Sequence, residues 1–148
     1  MTTKTYLSQL HYIDNQIKDK QLLAMQYRES AIMTSPVYSD MKVQTNHKPD
    51  KMAESIIKAI EYEKEAEDKA VELLNLKHTI LKQIDGIKKL DRNNSHVYYN
   101  LLMGRYVHNM TMTQLQDYVH YGEKQTRRLF DKSIEEFETL YGSEYLEK

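Results

Sequence analysis

The densest chemistry in the chain is the run Glu123-Lys124-Gln125-Thr126-Arg127-Arg128, which opens directly after Gly122. Arginine can grip guanine at two points, glutamine can do the same to adenine, and glutamate accepts from the cytosine amino group. Lysine and arginine also neutralise phosphate. On a helix, Thr126 faces inward while Glu123, Lys124, Gln125, Arg127, Arg128 and Asp131 face outward, so the run offers both base-reading and phosphate-holding groups. Free backbone amides at the helix start near Gly122 add a place for a phosphate. Just upstream, Thr113 and Gln114 open another helix and are further phosphate ligands by the same reasoning. Thr111 and Arg105 are also within this set, with Arg105 better suited to a structural pairing. The expected interface is therefore Thr113, Gln114, Gly122, Glu123, Lys124, Gln125, Arg127 and Arg128, and its expected partner is double-stranded DNA.

The elements that must hold these groups are short. Ser95 is a plausible cap for a helix from His96 to about Val107, with Tyr98, Leu101, Leu102 and Tyr106 inward. His108-Asn109-Met110 form a turn, and Thr111 or Thr113 caps a second helix with Met112, Leu115 and Val119 inward. His120-Tyr121-Gly122 form a tight second turn. A third helix, Glu123 to about Leu140, places Thr126, Leu129, Phe130, Ser133, Ile134 and Phe137 toward the same core at three- and four-residue steps. Two helices joined by a glycine-containing turn, the second opening on polar and basic residues, have the sequence form of a helix-turn-helix.

Charge agrees with this only locally. The formal net charge of the 148 residues is −1, but residues 92–132 carry Arg92, Arg105, Lys124, Arg127, Arg128 and Lys132 against Asp117, Glu123 and Asp131. That is a local excess of three positive charges, a modest field. The following tail holds Glu135, Glu136, Glu138, Glu144 and Glu147 against Lys148. A solvated basic face balancing that acidic tail is the competing account of Lys124, Arg127 and Arg128.

The first two-thirds of the chain read as long helices. Four glycines and two prolines leave little material for hairpin turns, and the composition fits an all-α protein. From Lys4 to Ile32 the apolar residues Leu7, Leu10, Ile13, Ile17, Ala24, Tyr27 and Ala31 recur at helical spacing. Met33 to Pro49 contains both prolines and no helical period, so Thr34-Ser35-Pro36 should stop that helix and a loop should reverse the chain. Asp50 is a good N-cap for a second long helix to about Leu90, with Ile56, Ile60, Ala70, Leu74, Leu81, Ile84 and Ile87 apolar. Its middle, Glu61 to Asp68, gives only Tyr62 and Ala66 to a core, and Gly86 is a point where it should bend or fray. The expected architecture is an antiparallel, coiled-coil-like helical hairpin over residues 1–91, followed by a three-helix helix-turn-helix domain over 95–148. A two-helix hairpin buries little surface alone, which predicts a homodimer.

Other chemistry is poorly supplied. With no cysteine there is neither a disulfide nor a thiolate zinc site. The six histidines include no HExxH or His-x3-His pair, and His96, His108 and His120 fall on different elements. The acidic run Glu61, Glu63, Glu65, Glu67 and Asp68 alternates with lysine and reads as a solvated face. No nucleophile motif or phosphate-cradling glycine loop occurs, so no enzyme, catalytic residue, cofactor or metal is expected. No apolar run is long enough for a membrane span and the N-terminus lacks a signal-peptide core, which predicts a cytoplasmic protein.

Laid without gaps on region 4 of bacterial sigma factors, Leu101 to Phe137 resembles that pattern. Leu102 and Arg105-Tyr106 match the end of its first helix, Leu115 and Val119 its scaffold helix, and Leu129, Phe130, Ser133 and Phe137 the inner face of its recognition helix. Gly122 stands where such motifs usually have serine, and Thr126 where they have valine or isoleucine. The full chain looks like the small phage-encoded transcriptional regulators of the RinA and ArpU type, with Thr34-Ser35-Pro36 and Met41-Lys42-Val43-Gln44-Thr45 before a long charged helix. The resemblance implies a regulator of phage or prophage late genes, acting in the bacterial host cytoplasm and assisting host RNA polymerase. Two alternatives stand beside it. One is a protein-interaction module that binds host RNA polymerase or a sigma factor. The other is a DNA-packaging recognition subunit, although those usually carry the DNA-binding domain at the opposite end.

Overall fold

Long stretches without glycine or proline, rich in lysine, glutamate, leucine and isoleucine, favour the helical donor ladder over any alternative. The computed structural model describes residues 1–41, 49–90 and 92–146, and is all-α there, with five α-helices and one π-helical turn among the described residues. In chain order these are α1 (Thr3–Met41), α2 (Pro49–Lys89), α3 (Ser95–Leu102), the π turn (Met103–Val107), α4 (Met112–Val119) and α5 (Glu123–Tyr145). None of the described helices is long and apolar enough to cross a membrane.

Two expectations about the long helices are corrected. Helix α1 does not stop at Thr34-Ser35-Pro36 but continues to Met41. An interior proline forfeits one backbone hydrogen bond and crowds the preceding turn, a local cost that did not end a 39-residue helix. The remainder of the expected loop, 42–48, lies outside the described residues. Helix α2 starts at Pro49 rather than after an Asp50 cap; the fixed φ of proline suits the first helical position.

The chain divides into two compact units, Met1–Ile13 with Asn75–Lys148, and Asp14–Leu74. The division cuts α1 and α2 themselves, while the turn at residues 92–95 lies inside the first unit.

The first unit is built on a core of fully buried side chains, among them Leu7, Ile13, Ile80, Ile84, Ile87, Leu101, Leu102, Leu115 and Phe137. Aromatic rings close it. Tyr6 stacks on Tyr145 with centroids 4.1 Å apart and planes 3° from parallel, and Phe137 lies 6.1 Å from the first and 6.0 Å from the second. Such offset pairs contribute roughly 0.5–1.5 kcal/mol each beyond their burial. The polar ends of these rings are satisfied: the Tyr6 hydroxyl donates to Gln83 Oε1 at 2.8 Å, and that of Tyr145 to Thr3 Oγ1 at 2.8 Å. Gln83 in turn donates to Glu144. These contacts explain why α5 runs to Tyr145, past the expected end near Leu140: Gly142 and Tyr145 are buried in the core.

Helix α2 runs on through Gly86 to Lys89 without fraying there. A Cβ built there would lie 2.0 Å from the Tyr141 hydroxyl oxygen, so the missing side chain is what admits that ring. Tyr106, packed against Phe130 at 6.2 Å and His11 at 5.6 Å, has its hydroxyl pushed up to about 12 by burial, against an ordinary 10.0.

The second unit buries Ile17 and Ala24 of α1 and Ala59, Ala66 and Ala70 of α2, with the Tyr27 and Tyr62 rings in contact at 5.3 Å. Ile60 and Leu74, read from sequence as part of the apolar line of α2, are instead more than half exposed. Helix α2 carries two apolar lines, and these residues belong to the outer one.

Two outcomes are expected. Gly86→Ala, which helix propensity alone favours by about 1 kcal/mol, will not stabilise the protein, because overpacking costs about 1–3 kcal/mol. In a Tyr141→Ala background the same change will raise the melting temperature, and thermal unfolding of the four proteins checks the cycle. For Tyr106 the neutral phenol is favoured in the fold. Its contribution is complete below the unfolded pKa of 10.0 and is lost as pH rises from there through about 12. Urea unfolding across that window will show a steeper loss for the natural chain than for Tyr106→Phe.

Candidate nucleic-acid interface

The expected interface residues lie on α4, α5 and the turn between them, all in the first unit. Helix α4 begins with a reciprocal cap. Thr111 Oγ1 accepts from the Gln114 amide at 3.2 Å, and Gln114 Oε1 accepts from the Thr111 amide at 2.8 Å. This satisfies two donors that a helix start otherwise leaves open. It resolves the choice of cap to Thr111, leaves Thr113 on the exposed first turn, and commits the Gln114 carbonyl oxygen to the backbone.

Helix α4 ends at His120, in the left-handed region at φ 61°, with its amide donating to the Gln116 carbonyl. The tight turn thus rests on His120 rather than on Gly122. Gly122 is the N-cap of α5 with φ −70° and ψ 171°, extended backbone open to any residue, and a Cβ there would meet nothing within 4 Å. No side chain caps α5, so its first amides carry the partial positive charge of the helix dipole toward solvent.

Thr126 is fully buried, its hydroxyl donating to the Tyr121 carbonyl at 3.4 Å, and Leu129, Phe130, Ser133, Ile134 and Phe137 are buried behind it. That inner face fixes the rotation of α5 and leaves Glu123, Lys124, Gln125, Arg127 and Arg128 exposed. Within this group Arg127 pairs with Glu123 at 3.2 Å, both well exposed. A solvated pair of this kind contributes little to stability, yet it removes a net charge from the face.

Lys124, Arg128 and Lys132 follow one another at four-residue steps along the exposed side of α5, and among the described residues none is held in an ion pair. Lys132 was not among the expected interface residues. Its signal in sequence was the four-residue spacing from Arg128, one turn beyond the half of the helix that sequence reasoning treated as reading DNA.

The remaining basic groups have structural work. Arg105 Nη1 donates to the Met110 carbonyl at 2.9 Å, bracing the connection between the π turn and α4; its partner is a carbonyl and not a carboxylate. Gly104 permits this corner, since a Cβ there would come 2.7 Å from Leu115 Cδ2. Arg92 pairs with Glu136 at 3.2 Å, drawing one acid of the tail toward the turn before α3. That turn also departs from expectation. Ser95 lies within α3, and its hydroxyl accepts from the Arg92 amide at 2.9 Å, while the N-cap is Asn94 at φ 67°. The helix expected from His96 to Val107 is α3 plus the π turn, closed by the His108 amide donating five residues back to Met103. Among the described residues no cluster of three or more histidine, aspartate or glutamate side chains is placed to hold a metal ion.

Compared with known proteins, the chain matches no family model, no curated protein and no solved structure.

The left-handed residue gives a test of the turn. His120→Gly removes the Cβ penalty of that backbone region and will stabilise the protein by about 0.5–1 kcal/mol, read by chemical denaturation. Gly122→Ala, at the N-cap of α5, will instead lower stability, because alanine caps a helix less well than glycine.

Proposed function

We propose that this chain is a sequence-specific DNA-binding transcriptional regulator in which α4 and α5 form a helix-turn-helix and α5 is the recognition helix. The observation that carries the reading is the row Lys124, Arg128 and Lys132 on the exposed side of a helix whose other side is buried. Gln125 beside it supplies an adenine-reading group, and the uncapped amides after Gly122 suit a backbone phosphate. Thr113 and Arg127 extend the same surface, with Arg127 leaving Glu123 to meet phosphate or base. The likeness of Leu101 to Phe137 to sigma region 4, and of the chain to RinA- and ArpU-type regulators, makes phage or prophage late genes the target class and activation the sign. In this reading α1 and α2 form an antiparallel hairpin that pairs two copies, since three to six phosphate contacts from one copy bind weakly at physiological salt.

A second reading, docking of this surface on host RNA polymerase or a sigma factor, draws on the exposed rings of Tyr118 and Tyr121 beside the basic row. Aromatic residues of this kind are enriched where proteins meet.

Binding to DNA from upstream of the neighbouring late operon, measured against scrambled DNA across a salt series, separates the two. Specific binding is expected, and Arg127→Ala with Arg128→Ala will abolish it. Lys132→Ala will weaken binding to both DNAs alike and lower the salt slope by about one. Equal affinity for both DNAs by the folded natural protein would reject the sequence-specific reading and favour the protein-docking one.

A further inference from the structure

The outer line of α2 has an order that its inner line lacks. Ile57, Ile60, Lys64, Glu67, Val71 and Leu74 alternate steps of three and four residues and are all exposed. They are arranged symmetrically about the midpoint between Glu65 and Ala66: Ile57 mirrors Leu74, Ile60 mirrors Val71, and Lys64 mirrors Glu67. Apolar residues mirror apolar ones, and a cation mirrors an anion. Helix α1 repeats the arrangement on its exposed side, where Leu22 mirrors Met25 and Lys18 mirrors Glu29 about the midpoint between Leu23 and Ala24.

We propose that the second unit, Asp14–Leu74, binds a second copy of itself through this face, with α2 antiparallel to α2 and α1 antiparallel to α1 across one twofold axis. The direction of the helices within one copy follows from chain length. Tyr27 touches Tyr62, and seven residues separate Met41 from Pro49. Parallel helices in that register would hold those ends on the order of 40 Å apart, beyond the roughly 28 Å that seven intervening residues can reach at full extension, so the two run in opposite directions. Counting from the ring contact, three and a half residues back along α1 and three and a half forward along α2 reach the two midpoints. Both centres of symmetry therefore stand at one level, which a single twofold axis in the plane of the face requires.

The helical phase agrees. Turning about 100° per residue from the buried Ala24 and half-buried Tyr27 in α1, and from the buried Ala59 and Ala66 in α2, brings both outer lines to one side of an antiparallel pair. Charge selects the occupant and its direction. In the antiparallel pairing Lys64 of each copy faces Glu67 of the other, and Lys18 faces Glu29. A parallel pairing would set Lys64 against Lys64 and Glu67 against Glu67. At the outer rim Glu61 of one copy approaches Asp68 of the other, a repulsion that solvent screens. The four central ion pairs set the register, while the isoleucine, valine, leucine and methionine side chains supply the apolar contact. The surface is independent of whether the first unit binds DNA.

The full-length chain tests this by sedimentation equilibrium. The natural protein is expected to be dimeric at micromolar concentration. Lys64→Glu, at an exposed position, will weaken the dimer about ten-fold with helicity unchanged, and Lys64→Glu with Glu67→Lys will restore it. The absence of natural cysteines makes direction readable: an oxidised mixture of Ile57→Cys and Leu74→Cys chains will form the mixed disulfide, and neither variant alone will crosslink. A monomeric natural protein, a dimer indifferent to Lys64→Glu, a failed restoration by the double swap, or a disulfide from Ile57→Cys alone would each overturn the proposal.

Discussion

Two phenol rings from opposite ends of the chain, Tyr6 and Tyr145, lie face to face at 4.1 Å and cover Phe137, which is fully buried. Phe137 sits on the same side of α5 as Leu129, Phe130, Ser133 and Ile134, so anchoring this ring fixes the rotation of the whole helix about its axis. A helix that rolled by a quarter turn would expose Thr126 and Phe130 and bury part of the basic row. The outward presentation of Lys124, Arg128 and Lys132 is thus a consequence of apolar packing three turns away. No ion pair needs to hold those side chains, and none among the described residues does. The hydroxyls of both covering rings are satisfied by Thr3 and Gln83, so the seal carries no unmet polar group.

Periodicity made the all-α class and the inner face of the last helix legible, because burial there obeys the three- and four-residue rule without exception. The same rule failed in α2, where two apolar lines occur side by side. Ile60 and Leu74 satisfy helical spacing as well as Ala59 and Ala66 do, and only the packed structure shows which line faces α1. Small alanines won that seam because they let two helices approach closely, a preference that a hydrophobicity ranking hides. The long-range contacts of the first unit were also invisible. Nothing in the local sequence links Tyr6 to Tyr145, so residues 1–13 read as part of a separate helical element.

Local chemistry misled in instructive ways. Ser95 and Asp50 are residue types that cap helices, yet among the described residues the left-handed positions are Asn94, Asn109 and His120, while Gly122 does cap α5, in extended backbone. Asparagine tolerates the left-handed region well, and histidine is among the other residues found there; His120 sits between the buried Leu115 and Thr126 in the chain. For Arg105 the expected structural pairing is the one found: its guanidinium donates to the Met110 carbonyl.

The pairing of Thr3 and Tyr6 with Tyr145 also sets a timetable. The hydroxyl contact spans 142 positions, so during synthesis the first helical turns emerge long before the strip that covers them. Until the final turn of α5 leaves the ribosome, Tyr6 and Phe137 lack the ring that packs on them. Contacts this remote in sequence close late and slowly. The last helical turn is therefore the latch of the first unit, the piece that joins its earliest residues to its latest.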